Sequence, residues 1–220
     1  MVEHYNLDYE INDISAGGLI DEADAQFRYS KQGVPRIQHS HFPYYFMFKN
    51  KKVLLLIRDL RDSIVSRYEK HCKREKDPVD FSVFLREGFL NERSGSFKRP
   101  LEQKVNFLNS WCKSKDKPDR LLVKKYKELK EKQRKAMKEV LNFLEIPDFN
   151  FSLVEKAVDF GSFENMKKLE GKEASEGRVV NKGKTNRYQD HFSPEDKKFF
   201  EEYVDKNLVC DFGYNYQQWS

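Results

Sequence analysis

The chain has 220 residues, enough for one domain with a sizeable core. Charged side chains make up 35% and apolar ones 38%, so the surface is heavily solvated, while 18 Phe and 11 Tyr supply an interior and a disordered polar class is excluded. A formal net charge of +5 suggests an anionic partner without saying which, and a nucleic-acid patch, a phosphorylated cofactor and plain solubility all fit it. Three widely spaced cysteines, Cys72, Cys112 and Cys210, argue against a disulfide framework and for a reducing, cytoplasmic setting; no apolar run approaches the roughly 18 residues of a membrane span, and the opening residues do not read as a signal peptide.

In chain order, residues 35–38 read as a short strand, and the apolar run Val53–Ile57 as a buried one. Asp62 is placed to cap a helix carrying Ile64, Val65, Tyr68 and Cys72 on one side. Pro100 opens a second helix with Leu101, Val105, Leu108 and Cys112 on its apolar face. Leu121–Val123 predicts a third strand; Met137, Val140, Leu141 and Leu144 mark a third helix, and Ser193-Pro194 starts a last one through Phe199, Phe200 and Tyr203. Strands alternating with helices predict an α/β fold with a mainly parallel sheet flanked by helices. The Lys- and Glu-rich stretch from Lys124 to Lys138 reads as a solvated helix face rather than a nucleic-acid stripe. There are no repeats, no low-complexity tract, and no metal site is expected.

The stretch RDLRD (58–62) follows the clearest strand at once. In open α/β sheets, ligands sit beyond the carboxyl ends of strands, where helix N-termini offer free N–H groups to anions. Arg58 lies at that edge and Ser66 in the helix that follows, so together they can hold one phosphate. Spacing alone allows equally that Arg58 pairs with Asp59 or Asp62 and that Ser66 only packs.

Five segments, in order, resemble motifs of the PAPS-dependent sulfotransferases. RDLRDSIVSRY (58–68) is similar to the family's 3'-phosphate segment, with Leu60 in place of proline and Arg67 between Ser66 and Tyr68. PRIQHSHFP (35–43) resembles the segment that carries the catalytic histidine, LLVKKYKEL (121–129) the strand ending in Tyr-Glu-Asp, GSFENMKK (161–168) the adenine-contacting Ser-Phe-x-x-Met, and VVNKGKTNRYQDHFS (179–193) the Arg-Lys-Gly motif. The resemblance spans about residues 35–215. It implies a P-loop-like three-layer α/β domain over residues 1–220, with 1–34 as an N-terminal segment, and transfer of a sulfuryl group from PAPS, leaving PAP, to a hydroxyl or amine of a small-molecule or glycan acceptor.

The same resemblance implies the site. His41 is the general base, which takes the acceptor's proton as attack proceeds; His39, where the family has lysine, helps with the sulfuryl oxygens or lies on the surface. If the segment stays extended, the two histidines are expected on opposite sides, so that only one faces the acceptor. Arg58, Ser66, Lys182 and the Gly183 N–H take the 3'-phosphate; Asn181 departs from the family's arginine, leaving Lys184 or Arg187 as the replacement. Ser162, Phe163 and Met166 would frame the adenine, with Tyr126 at its edge, although aromatic and methionine side chains here serve equally as core. Asn186, Arg187 and Tyr188 replace Gly-Asp-Trp, so that loop is expected to be built differently.

The family's N-terminal phosphate loop is not found. YSKQGVP (29–35) has Lys31 and Gly33, but Pro35 follows at once and HSHFP within six residues, leaving no room for the helix such a loop must open. YNLDYEINDI (5–14) reads as the segment after that helix. The loop and a central strand are therefore expected upstream of Met1, lost from a non-catalytic remnant that still binds PAP or PAPS, or supplied by another chain. A missing central strand argues against a stable monomer and for a homo-oligomer among the possible states. A basic protein binding nucleic acid or another polyanion is the alternative from a different class; no membrane or nucleic-acid partner is expected.

Overall fold

A computed structural model describes residues 20–22, 37–91, 94–146, 149–162, 164–165, 168 and 186–219. They fall into two units, residues 1–42 with 128–176 and residues 43–127 with 177–220.

The second unit holds the clearest α/β signature. Strand β3 (Lys52–Ile57) pairs in parallel with β6 (Arg120–Lys125), Lys52 opposite Arg120 and Ile57 opposite Lys125. Parallel neighbours need a crossover connection. Here it carries α1 (Leu60–Arg74), α2 (Phe81–Arg86), the antiparallel hairpin β4 (Phe89–Asn91) and β5 (Ser96–Lys98), and α3 (Pro100–Lys113). The expected buried strand is buried on one side only. Leu55 and Ile57 enter the core, whereas Leu56 is 55% exposed, because successive side chains of a strand face opposite ways.

Each helix lays a stripe on that core. Leu60, Ile64 and Val65 of α1, Phe84 of α2, Leu101, Val105, Leu108 and Trp111 of α3, and Phe200 and Val204 of α7 (Pro194–Asn207) are all buried in one cluster. The predicted stripe of α3 closes with Trp111 in place of Cys112. Gly88 turns the chain into β4 at φ +100°, and a Cβ there would lie 2.1 Å from the Lys98 carbonyl oxygen, so only glycine fits.

The cysteine expectation is corrected. Cys112 and Cys210 form a disulfide across 98 residues, with Cα atoms 6.3 Å apart, and only Cys72 is free. What spacing hid is an amide clamp: Asn109 Nδ2 donates to the Asn207 carbonyl and its Oδ1 accepts from the Val209 N–H, both at 2.7 Å, drawing the chain after α7 onto the end of α3.

In the first unit, β1 (Ile20–Glu22) pairs in parallel with β2 (Ile37–His39). There α5 (Gln133–Phe143) packs on α6 (Phe151–Phe160), joined by an Arg134–Glu155 ion pair and by Lys138 lying 3.9 Å from the Phe151 ring centroid. Helix α4 (Tyr126–Glu131) follows β6 directly. Among the described residues, no helix is long and apolar enough to cross a membrane.

Candidate functional site

Where β3 ends, the chain turns within two residues into α1. The cap is Asp59 rather than the expected Asp62: its carboxylate accepts from the Arg61 N–H at 2.8 Å, and the helix starts early enough to bury Leu60. Asp62, freed from capping and itself buried, accepts the Asn186 and Arg187 N–H groups at 3.1 and 2.9 Å. It therefore ties the segment after the Lys182 motif onto the first turn of α1. Asn186 enters in the left-handed region, φ 61°, which suits asparagine among non-glycine residues.

The turn is braced from the other side by Arg61. This buried guanidinium donates to both Asp59 oxygens, at 3.0 and 2.6 Å, and to the carbonyls of Gln218 and Asn215. It lies 4.3 Å from the Tyr188 ring centroid and 5.2 Å from that of Trp219. Burial alone would lower its pKa, and the Asp59 carboxylate more than offsets this, so the pKa is raised.

Arg58 is thereby held with limited freedom. It lies 3.7 Å from Asp62 and 4.9 Å over the Tyr126 ring, and at the same time lines a cleft of about 510 Å³. The ion pair with Asp62 that spacing allowed is thus present, and Arg58 faces the cleft as well. Ser66 lines the same cleft, so the structure brings together Arg58, Ser66 and, through the stacked ring, Tyr126. The other walls are Ser63, Arg67, Lys70, His71, Arg74, Glu75, Phe89, Asn91 and Lys104.

With Arg58, five lining residues are Arg or Lys, the others being Arg67, Lys70, Arg74 and Lys104, and one, Glu75, is a carboxylate. Burial lowers the pKa of Arg67. Burial, with Arg67 and Arg58 nearby, does the same to Lys104, and burial with Arg74 and Arg67 to Lys70. Such a cluster favours an anion wherever one fits. The α1 cations were not singled out from sequence, although Ser63, Arg67, Lys70 and Arg74 recur at three- and four-residue steps that share a helix face. Arg187, one of the two expected replacements for the family's arginine, is buried and paired with Glu69.

Three other expected residues belong to the first unit. Ser162 lies two residues beyond α6 in the first unit, where its N–H donates to the Asp159 carbonyl and its Oγ accepts from the Asn165 N–H. His39 closes β2 and His41 follows two residues on, both exposed. Their rings lie edge to face with centroids 5.9 Å apart. The expectation of opposite sides is therefore wrong, since residues two apart in extended chain share a face. Phe163, Met166, Asn181, Lys182, Gly183, Lys184 and the YSKQGVP segment lie outside the described residues.

Comparison with known proteins gives a consistent result. A family described as "Sulfotransferase domain" matches residues 7–211. Cytosolic sulfotransferase 6 of Arabidopsis thaliana is 27% identical over 156 residues, covering 66% of this chain and 47% of that protein. Sulfotransferase 1E1 of Rattus norvegicus is 31% identical over 140 residues, covering 60% and 45%. The chain thus spans about half the length of the curated relatives it matches. Among solved structures, mouse sulfotransferase SULT7A1 complexed with PAP superposes with a TM-score of 0.63 at 22% identity, covering 83% of this chain and 69% of that one. Retinol dehydratase in complex with androsterone and inactive cofactor PAP gives 0.60 at 20% identity, covering 86% and 57%.

Proposed function

Because this chain belongs to the sulfotransferase family, we propose that the turn from β3 into α1 holds the 3'-phosphate of PAP or PAPS, and that the protein serves sulfuryl transfer to a hydroxyl or amine. The observation that carries the proposal is the placement of Arg58 and Ser66 on one wall of a cationic cleft, behind a turn braced by Asp59, Asp62 and Arg61. A dianionic phosphate ester suits that donor set, since Arg58 offers charged N–H groups and Ser66 a hydroxyl. Tyr126, stacked on Arg58, orients the guanidinium and can meet the adenine edge.

On the strength of motif order, Lys182 and Gly183, with Asn181 and Lys184 beside them, complete the phosphate contacts, and Ser162, Phe163 and Met166 frame the adenine. When bound, PAPS supplies the activated sulfuryl group. His41 accepts the acceptor's proton and His39 stands beside it to neutralise charge. We take both units to belong to the single domain that the family match spans. A second reading is binding of PAP without transfer; turnover of PAPS separates the two.

Calorimetry with PAP and 5'-AMP tests the phosphate site. PAP is expected to bind at least about tenfold more tightly, the ratio that 1.4 kcal/mol represents. Arg58→Ala is expected to cost about 2–4 kcal/mol of PAP binding. Equal affinities for the two nucleotides, or for mutant and parent, would remove the assignment.

A further inference from the structure

The cationic cleft reaches beyond its phosphate turn. In the proposed site Arg58, Ser66 and Lys182 already supply two positive charges and a hydroxyl, a donor set that matches one phosphate dianion. Arg67, Lys70 and Arg74 continue along α1 on the same side, with Lys70 and Arg74 about 6 and 12 Å of axial rise beyond Ser66. Lys104 reaches in from α3. Among the described residues these four cations form no ion pair, and Glu75, the one carboxylate in the wall, accepts a hydrogen bond from the Asn91 amide at 3.0 Å. Arg67 and Lys104 are half-buried, and a cation drawn out of bulk water is costly until a counter-charge meets it. The charges are neighbours rather than scattered. Burial lowers the pKa of Lys104 and Arg67 and Arg58 lower it further, while burial, Arg74 and Arg67 lower that of Lys70. Arg58, Lys104, Arg67, Lys70 and Arg74 therefore form one row that starts at the phosphate turn.

We propose that Arg67, Lys70 and Lys104 form a second phosphate subsite directly beyond the first, so that the cleft accepts a nucleotide with a diphosphate at its 3' position. The inference rests on the reading of Arg58 and Ser66 as the 3'-phosphate site and extends it outward from that phosphate. Both subsites lie in the second unit, on α1, α3 and the turn before α1. In a 3'-diphosphate the terminal phosphate is one bridging oxygen from the phosphate anchored at Arg58 and Ser66, so it stays close to that anchor, where Arg67 and Lys104 stand. It adds negative charge where the surplus of cations lies, and its oxygens accept from an Arg fork and two Lys ammonium groups. Size favours a short phosphate chain over a polymer: about 510 Å³ is the scale of a small-molecule pocket.

Calorimetry on the full chain compares PAP with adenosine 3'-diphosphate 5'-phosphate, which differ by one added phosphate. Salt at about 0.15 M screens charges more than about 8 Å apart. The 3'-diphosphate is expected to bind at least about tenfold more tightly. In Lys70→Gln/Lys104→Gln the ratio is expected to fall within about twofold, in a protein whose melting temperature shows it folded. Lys115→Gln/Lys117→Gln, which removes the same charge outside the cleft, is expected to keep the wild-type ratio. If PAP binds and the two nucleotides bind alike to the wild type, the second subsite is overturned and the 3'-phosphate reading stands. An equal loss of affinity for both nucleotides in Lys70→Gln/Lys104→Gln overturns it too, by giving those cations to the first phosphate. So does a 5'-phosphorylated adenylate dinucleotide that binds more than about tenfold tighter than the 3'-diphosphate, since the row would then be a track for nucleic acid. If PAP itself fails to bind, the functional reading falls and the inference with it. The wild-type comparison of the two nucleotides is decisive even if the variant does not fold.

Discussion

Asp62 carries more than its position in a helix suggests. It accepts two backbone N–H groups and lies against Arg58, all at the mouth of the candidate phosphate site. Asp62→Ala leaves those two donors unpaired near the core, and an orphaned buried donor costs about 1–3 kcal/mol. Urea unfolding of the variant is expected to show a loss of about that size, and calorimetry a weaker PAP, because both the Asn186–Arg187 segment and Arg58 lose their anchor. Unchanged stability would mean that these hydrogen bonds do not hold the segment. At the histidines, sharing a face means that orientation alone does not choose between them, so the assignment rests on the resemblance of HSHFP to the family's motif. In any form that turns over PAPS, His41→Ala is expected to lower turnover by about 10² to 10⁴ with PAP binding intact, and His39→Lys to be tolerated. The reverse pattern in steady-state assays would exchange their roles.

At the scale of elements, the start of α7 is the best-read feature of the sequence. Ser193-Pro194 predicts a helix start, and the structure adds a capping box, Asp196 accepting from the Ser193 N–H while Ser193 Oγ accepts from the Asp196 N–H. Asp196 also accepts from the Ser82 hydroxyl at 2.8 Å and from Arg86 at 2.7 Å, fastening α7 to α2. Burial pushes its pKa up, but the hydrogen bonds from Ser82, Arg86 and Ser193 outweigh this and leave it below the usual carboxylate value. The unfolded chain thus takes up the proton first. The stabilisation is present above the unfolded pKa, near about 3.9, and is lost as pH falls through the lower folded value. Asp196→Asn is expected to flatten the acid limb of a plot of melting temperature against pH; a limb of unchanged steepness would show that another carboxylate controls it. The start of α1 was misread because Asp59 and Asp62 both suit a cap, and only the burial of Leu60 decides between them. The hairpin β4–β5 left no readable trace, since Leu90 and Phe97 are exposed and strands of three residues are too short to show a period.

For the whole molecule, the α/β class and the strands that become β3 and β6 were legible, because a run such as VLLLI and the alternation of elements are local signals, whereas their direct pairing shows only in the structure. The disulfide was not, because the contact that creates it depends on Asn109 meeting the chain after α7, and no spacing rule reports that. A bond closing a 98-residue loop restricts the unfolded chain, and loops of this length are worth about 4 to 5 kcal/mol in the chain-entropy account. Thermal unfolding of the protein is expected to shift downward with reductant, and Cys112→Ala to show the lower value with or without it. Identical curves for oxidised and reduced protein would count against the bridge as a stabilising link.

The brace on Arg61 also sets an order of events in the cell. The Gln218 carbonyl that it grips lies 157 residues downstream. A ribosome adds about 5–20 residues per second, so the turn carrying Arg58 emerges roughly ten to thirty seconds before the segment that closes behind it. Throughout that interval the guanidinium has only Asp59 as a fixed partner, and the rings of Tyr188 and Trp219 are still to come. A nucleotide therefore meets no finished cleft on the growing chain, and whatever protection it lends arrives only once translation has passed the brace.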